Sequence, residues 1–303
     1  MSHAASTLNR RKFLHQSLGF TAASFVAPIV GLAAESTPRF HFCAFDKFLR
    51  TLSNDELADA LAASGFSGVE ATVRKGGRID PERVEEQLPS LVEALAKRKL
   101  QLSVMTTEIN RADDPINQKV LSTAAKLGVT RYRLGWFKYR DDSPIQDQLA
   151  AFGSPVNELA ALNRELGLTG LFQNHAGPQY VGATIWDLYS LIREIPVEEI
   201  AVAYDIRHAT VEAGLSWPTL YRLIQPHIGA LYMKDFDWSG RLDKHVPFGS
   251  GRVDPKFFES IRRDGFSGPI SIHGEYLPRG SAQQNLEAIK RDFDKVKELL
   301  GVE

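Results

Sequence analysis

The chain has 303 residues, 43% hydrophobic and 24% charged, with a formal net charge of −1. That is ordinary globular composition, long enough for one large domain or two small ones, and it lacks the basic excess that a nucleic-acid-binding face requires. The single cysteine, Cys43, excludes an intrachain disulfide, and its place in the apolar run FHFCAF reads as a small buried hydrophobe rather than a nucleophile.

Residues 1–35 stand apart. Arg10 and Arg11 precede the apolar stretch LGFTAASFVAPIVGLAA, which ends in small residues near Ala33 and Ala34. A charged start, an apolar middle and a small-residue end make a cleavable export signal, here with the paired arginines that twin-arginine export machinery reads. A stable membrane anchor fits less well, because the apolar stretch is short and broken by Pro28. The mature domain is expected to run from Ser36 to Glu303 and to work in the periplasm, or otherwise outside the cytoplasm, of a bacterium.

From Arg39 short apolar runs alternate with longer amphipathic ones. FHFCAF is a strand, and Ser53 caps NDELADALAASG as a helix. GVEATV is the second strand, followed by a helix from Asp80, with Pro81 at its first position, to Lys99. LQLSVMTT is the third, before a helix that ends at Gly128. RYRLGW is the fourth, and Pro144 to Gly167 is mostly helix. LTGLFQ and IAVAYDI are the fifth and sixth, each with its helix, ATIWDLYSLIREI and SWPTLYRLIQPH. IGALYMKDF, the seventh, leads into a long loop and the helix DPKFFESIRRDG; GPISIHGEY, the eighth, precedes a C-terminal helix.

Strict alternation implies parallel strands joined by right-handed crossovers. Eight such units in about 265 residues imply a closed (β/α)8 TIM barrel in one domain, with its functional residues at the C-terminal strand ends.

Those ends are polar. Glu70 sits in a β-branched run, where a buried carboxylate needs a partner: it is a site residue or the partner of an arginine. Arg131 and Arg133 share a face of the fourth strand. Pointing outward they form strand–helix salt bridges; pointing inward, Arg133 can hold a carboxylate or phosphate. Gln173 and His175 share a face of the fifth strand, with Asn174 opposite. Asp205 ends the sixth strand, with His208 in the loop beyond. Tyr232, Lys234 and Asp235 end the seventh, and Ser271, His273 and Glu275 share a face of the eighth.

Two chemistries suit this set. Asp205, Glu275, His175 and His273 can hold a divalent metal such as zinc or manganese. Equally, Glu275 or Asp205 can move a proton beside a carbonyl that Lys234 polarises. Trp136, Phe137, Trp217 and Trp238 are candidates to stack on a sugar ring, or else pack loops onto the barrel. Trp186 and Tyr189 belong to the core or to a dimer face, so an oligomer is possible.

The segments ASGFSGVEA, YDIRH, LYMKDF, VPFGSGRVDPKFF and GFSGPISIHGEY resemble the sugar phosphate isomerase/epimerase superfamily, the xylose isomerase-like TIM barrels, over about Phe40 to Leu299. The family's sixth-strand Asp-x-x-His matches Asp205 and His208. The resemblance implies four metal ligands in typical members, Glu, Asp, His and Glu from strands five to eight. They fall here on Gln173, Asp205, Tyr232 and His273, so only Asp205 is kept. Either the metal is lost and Gln173 and Asn174 bind sugar hydroxyls, or the shell is rewired through His175, Asp205, His273 and Glu275. No nucleotide cofactor is expected.

The expectation is an exported isomerase or epimerase acting on a sugar or keto-sugar derivative. Asp205 and Glu275 would exchange protons, Lys234 and His208 would stabilise the enediolate oxygen, and Gln173, Asn174, His175, Glu70, Arg133, Trp136 and Asp235 would bind the carbohydrate. The alternatives are a lyase on keto-glycosides and a non-catalytic carbohydrate-binding barrel. An endonuclease is weaker still, since the chain lacks the basic balance for that role.

Overall fold

The computed structural model describes residues 40–302, so the expected export signal lies outside the described residues. Eight parallel strands close into a barrel in the order β1, β10, β7, β6, β5, β4, β3, β2. They are β1 (His41–Phe45), β2 (Gly68–Thr72), β3 (Gln101–Thr106), β4 (Arg131–Arg133), β5 (Thr169–Gln173), β6 (Ile200–Asp205), β7 (Ile228–Met233) and β10 (Pro269–Ile272). The expected (β/α)8 TIM barrel is the observed fold.

Local chemistry sets the helix ends. α1 (Asn54–Ala63) opens with a capping box in which Ser53 Oγ accepts from Glu56 N at 3.2 Å and Ser53 N donates to Glu56 Oε2 at 2.8 Å. α3 (Pro115–Lys126) is capped by Asp114, and α4 (Ile145–Leu166) ends at Gly167 with φ +67°. The helix expected from Pro81 is split: a 3-10 turn, Pro81–Arg83, precedes α2 (Val84–Ala96).

Helix and strand faces pack the main core between the barrel and its helical ring. A smaller cluster fills the barrel itself with Val104, Leu171, Ala201, Ala203, Ala230 and Tyr232. These are inward positions, and period two places the next inward side chains one layer up, at the mouth. Leu171 is followed by Gln173, Ala203 by Asp205 and Tyr232 by Lys234. The same period carries Ser271 to His273 and on to Glu275, although β10 itself ends at Ile272.

Two elements depart from expectation. His208 is not in a loop: α6 (Ile206–Ala213) starts directly after β6 and is capped by Asp205, whose Oδ1 accepts from His208 N at 3.2 Å. The helix expected from Ser216 is α7 (Trp217–Ile224). The long loop after the seventh strand holds an antiparallel hairpin, β8 (Asp235–Ser239) and β9 (Leu242–Val246). α8 (Lys256–Arg263) and α9 (Ala282–Leu300) complete the ring after α5 (Trp186–Ile192). Trp186 is 55% exposed, so it is not a core residue of the chain. Among the described residues no helix is long and apolar enough to cross a membrane.

Candidate active site

A cavity of about 380 Å³ opens at the C-terminal mouth of the barrel, a volume within the range of small-molecule sites. Glu70, Arg133, Trp136, Gln173, His175, His208, Lys234, His273 and Glu275 all line it. Most of the expected site is therefore brought together in one place.

Two polar networks organise it. The first surrounds Asp205, which is fully buried. Its Oδ2 lies 2.7 Å from Lys234 Nζ and accepts from Gln173 Nε2 at 2.9 Å. The Gln173 amide is oriented by its neighbours: its nitrogen faces a carboxylate that accepts, and its oxygen faces the guanidinium of Arg133, 3.5 Å away, which only donates. His208 is neutral, because burial and the charge on Lys234 push its pKa well below the usual value. Arg207 donates to His208 Nδ1 at 2.8 Å, while Nε2 lies 3.2 Å from Lys234 Nζ and 3.5 Å from Asp205 Oδ2. His175 is also neutral, burial lowering its pKa to about 4. It packs against the His208 ring, tilted by 33°, with ring centroids 4.0 Å apart.

The second network is a carboxylate–imidazole–carboxylate row. His273 Nε2 donates to Glu70 Oε2 at 2.9 Å, and its Nδ1 lies 3.7 Å from Glu275 Oε1. Thr106 Oγ1 donates to the other oxygen of Glu70. The His273 ring is held between Phe45 and Tyr232, with centroids at 4.3 and 4.5 Å. Burial opposes charge on His273, but Glu70 and Glu275 outweigh it and raise the pKa, so the ring favours its cationic form. Burial likewise opposes charge on Glu275, yet Lys234, His273 and Lys47 hold its carboxyl well below the ordinary range. Glu275 is thus an ionised carboxylate, its side chain 14% exposed and facing the cavity.

Several assignments need correction. Asp205 does not line the cavity; Lys234, Gln173 and its own helix cap cover it, so it positions Lys234 rather than meeting substrate. Asn174 does not line the cavity either. Both ends of its amide are used on the Asp205 backbone: Nδ2 donates to Asp205 O at 3.0 Å, and Oδ1 accepts from Asp205 N at 2.7 Å. Asp235, too, lies outside the cavity lining. Its carboxylate accepts backbone N–H groups from Phe236, Gly249, Gly251, Arg252 and Val253 at 2.8 to 3.1 Å. The glycine-rich FGSGRVD turn is wrapped around it, and a Cβ on Gly251 would collide with it. Glu70 pairs with a histidine rather than an arginine, and Arg133 points inward, 2% exposed, instead of pairing with a helix. Among the four aromatics Trp136 alone lines the cavity. Phe137 packs on Phe152 and Phe172, Trp217 on Phe257, and Trp238 stands 46% exposed on the hairpin. Cys43 is buried, as expected.

The hairpin adds groups that sequence reasoning missed. His245 Nε2 lies 3.9 Å from Glu275 Oε2, and Asp243 pairs with Arg207. The dipeptide Ser239-Gly240 inside the supposed loop was the available signal for a turn between two strands. Lys47, 3.4 Å from Glu275 Oε2, follows the first strand in a turn whose sequence carried no such mark.

The residues do not fit the metal that the family resemblance implies. Gln173 presents a nitrogen donor to Asp205, Lys234 holds the cationic place beside the same oxygen, and His273 is committed to Glu70. The rewired shell is not assembled either. Asp205 belongs to one network, His273 and Glu275 to the other, and His175 Nδ1 bonds to Ala176 O at 2.8 Å. Among the described residues no three His, Cys, Asp or Glu side chains are grouped so as to hold a metal ion.

The xylose isomerase-like TIM barrel family profile matches residues 58–294, and the chain belongs to that family. Solved structures share the fold at low identity. A candidate xylose isomerase from Rhodospirillum rubrum is 17% identical, with a TM-score of 0.70 over 87% of this chain and 99% of that one. The 3-keto-D-glucoside 4-epimerase of E. coli is 14% identical, at 0.65 over 86% and 100%. The D-psicose 3-epimerase of Clostridium cellulolyticum is 12% identical, at 0.66 over 86% and 99%. No curated protein matches the chain.

Proposed function

We propose that the protein is a sugar isomerase or epimerase that moves a proton beside the carbonyl of a sugar or keto-sugar derivative, without a metal. The observation that carries this reading is Glu275, an ionised carboxylate facing the cavity together with the ammonium of Lys234. Glu275 takes the proton from the carbon next to the carbonyl. Lys234 stabilises the oxygen on which negative charge develops, the task a divalent cation performs in other enzymes. Returned by Glu275 to the neighbouring carbon, with that carbon's hydroxyl proton passing to the former carbonyl oxygen, the proton moves the carbonyl; inversion of the first carbon requires a second proton donor on the opposite face of the substrate. The row through His273 to Glu70 fixes Glu275 and keeps positive charge beside it. The low pKa of Glu275 costs driving force for abstraction, and it keeps the base ionised at every physiological pH.

The sugar-converting neighbours support a carbohydrate substrate, and the keto-glucoside epimerase among them supports a keto-sugar. The Arg10–Arg11 signal supports export by the twin-arginine machinery and action in the periplasm. Incubation with D-fructose, D-tagatose and a methyl 3-keto-D-glucoside, followed by sugar analysis, tests the reading. The wild type should convert at least one of them, and Glu275→Gln should still bind that sugar while turning it over about 10²–10⁴-fold more slowly. Binding of a sugar with no conversion by the wild type would make the protein a carbohydrate-binding barrel.

A further inference from the structure

Buried charges in proteins are paired, because an uncompensated ion in a low-dielectric interior costs several kcal/mol. The cations around this cavity obey that rule with two exceptions. Lys47 pairs with Glu275, Arg207 with Asp243, Lys234 with Asp205 and His273 with Glu70. Arg133 has no carboxylate partner among the described residues, although it is 2% exposed. Its Nη2 donates to Thr107 O at 2.8 Å, its Nη1 reaches Gln173 Oε1 only at 3.5 Å, and its Nε has no partner. Most of its five donors are left for something else. Trp136 lies under the guanidinium, its ring centroid 4.6 Å from Cζ, and holds the plane in place without neutralising it. Arg74, half-buried on the same cavity, makes no side-chain hydrogen bond or ion pair among the described residues, and its charge acts on Arg133.

Gln173 gives this pairing gap a cause. A glutamate there would set a carboxylate beside Arg133 and cancel its charge. The amide leaves the guanidinium uncompensated, and an incoming ligand can supply the missing anion. Resting on the sugar-converting reading above, we infer that the cavity takes an anionic sugar derivative, whose carboxylate or phosphate is held by Arg133 and Arg74. The planar fork of Arg133 suits either oxyanion in a bidentate pair.

Three ketoses that differ only at C6 test this: D-fructose, D-fructuronate and D-fructose 6-phosphate, titrated into the full-length protein by calorimetry. At least one anion should bind at least about tenfold more tightly than D-fructose. Preference for fructuronate identifies a carboxylate ligand, and preference for the 6-phosphate a phosphate ligand. The anion-to-neutral affinity ratio should collapse towards one in Gln173→Glu, which adds the competing carboxylate, and in Arg133→Gln. Arg74→Gln, nearer the rim, should lower the ratio too and serves if the Arg133 variant does not fold. Neutral D-fructose binding as well as both anions, or neither anion binding at millimolar concentration, would overturn the inference. Calorimetry reads binding apart from turnover. An anion that binds through Arg133 but is not converted leaves this site standing and removes the isomerase reading. Conversion of neutral sugars alone does the reverse.

Discussion

At Glu275 three cationic groups outweigh burial, and the resulting ionised carboxylate sets how the protein should respond to pH. Because its pKa lies well below 4.5, kcat/KM should show no acidic limb as pH falls to 4.5, and a pH–rate profile on the converted sugar checks this. An acidic limb between pH 5 and 7 would assign the base to another group. Neighbouring residues show what single positions in the sequence could and could not reveal. Glu70, His273 and Glu275 were legible as residues of the barrel mouth because a carboxylate or imidazole in an apolar strand must find a buried partner or face a cavity. Asp205 and Asn174 were equally conspicuous, yet their roles were not legible, since the sequence does not say that one caps a helix and the other clasps its backbone. Asn174→Ala should cost about 1–3 kcal/mol of stability, read as a lower urea midpoint, because it leaves a buried backbone N–H and C=O unpaired. A loss of sugar affinity at unchanged stability would return Asn174 to the binding site.

The hairpin and the turn after it form the element that closes one side of the cavity, and Asp235 is its fastener. Five backbone N–H groups converge on that carboxylate. In Asp235→Asn the amide nitrogen must meet donors, and the charge that strengthened every bond is gone. The expected cost is about 3 kcal/mol, with faster hydrogen exchange across residues 247–253. Unchanged exchange there would mean that the turn holds itself. The eight strands were legible because their apolar runs are bounded by helix caps and turn residues. The hairpin was not, because β8 and β9 beyond Phe236 are mostly half-buried or exposed, and the alternating stretch Asp235 to Ser239 begins inside the run IGALYMKDF, which read as one strand. β4, three residues long, shows the opposite error: RYRLGW looked like a longer strand, but the chain leaves the sheet once Arg133 has reached the mouth.

Over the whole molecule the closed barrel of eight parallel strands followed from alternation and length. The ligand chemistry at the mouth did not, since it depends on which side chains face each other across strands far apart in sequence, as Gln173 and Asp205 do across 32 residues and His273 and Glu70 across 203. Stability should carry a pH signature from Asp292, which burial raises to about 7 and which accepts from Phe248 N at 3.0 Å. A carboxyl with a raised folded pKa stabilises the fold fully below its unfolded value and loses that contribution as pH rises through the folded one. Stability should therefore decline from about pH 4 to 7, by at most about 1.4 kcal/mol per pH unit from this group. Asp292→Asn should flatten that part of a urea-midpoint profile; an unchanged slope would assign it elsewhere. Proton abstraction by Glu275 is the central step, and solvent deuterium exchange reads it directly. Sugars bound by the enzyme are incubated in D2O, and the hydrogen beside the carbonyl is followed by NMR, with and without a chelator. Deuterium should enter at that carbon in the wild type, unaffected by chelation and reduced at least about 100-fold in Glu275→Gln. Exchange that survives the substitution, or that disappears with the chelator, would contradict metal-free abstraction by Glu275.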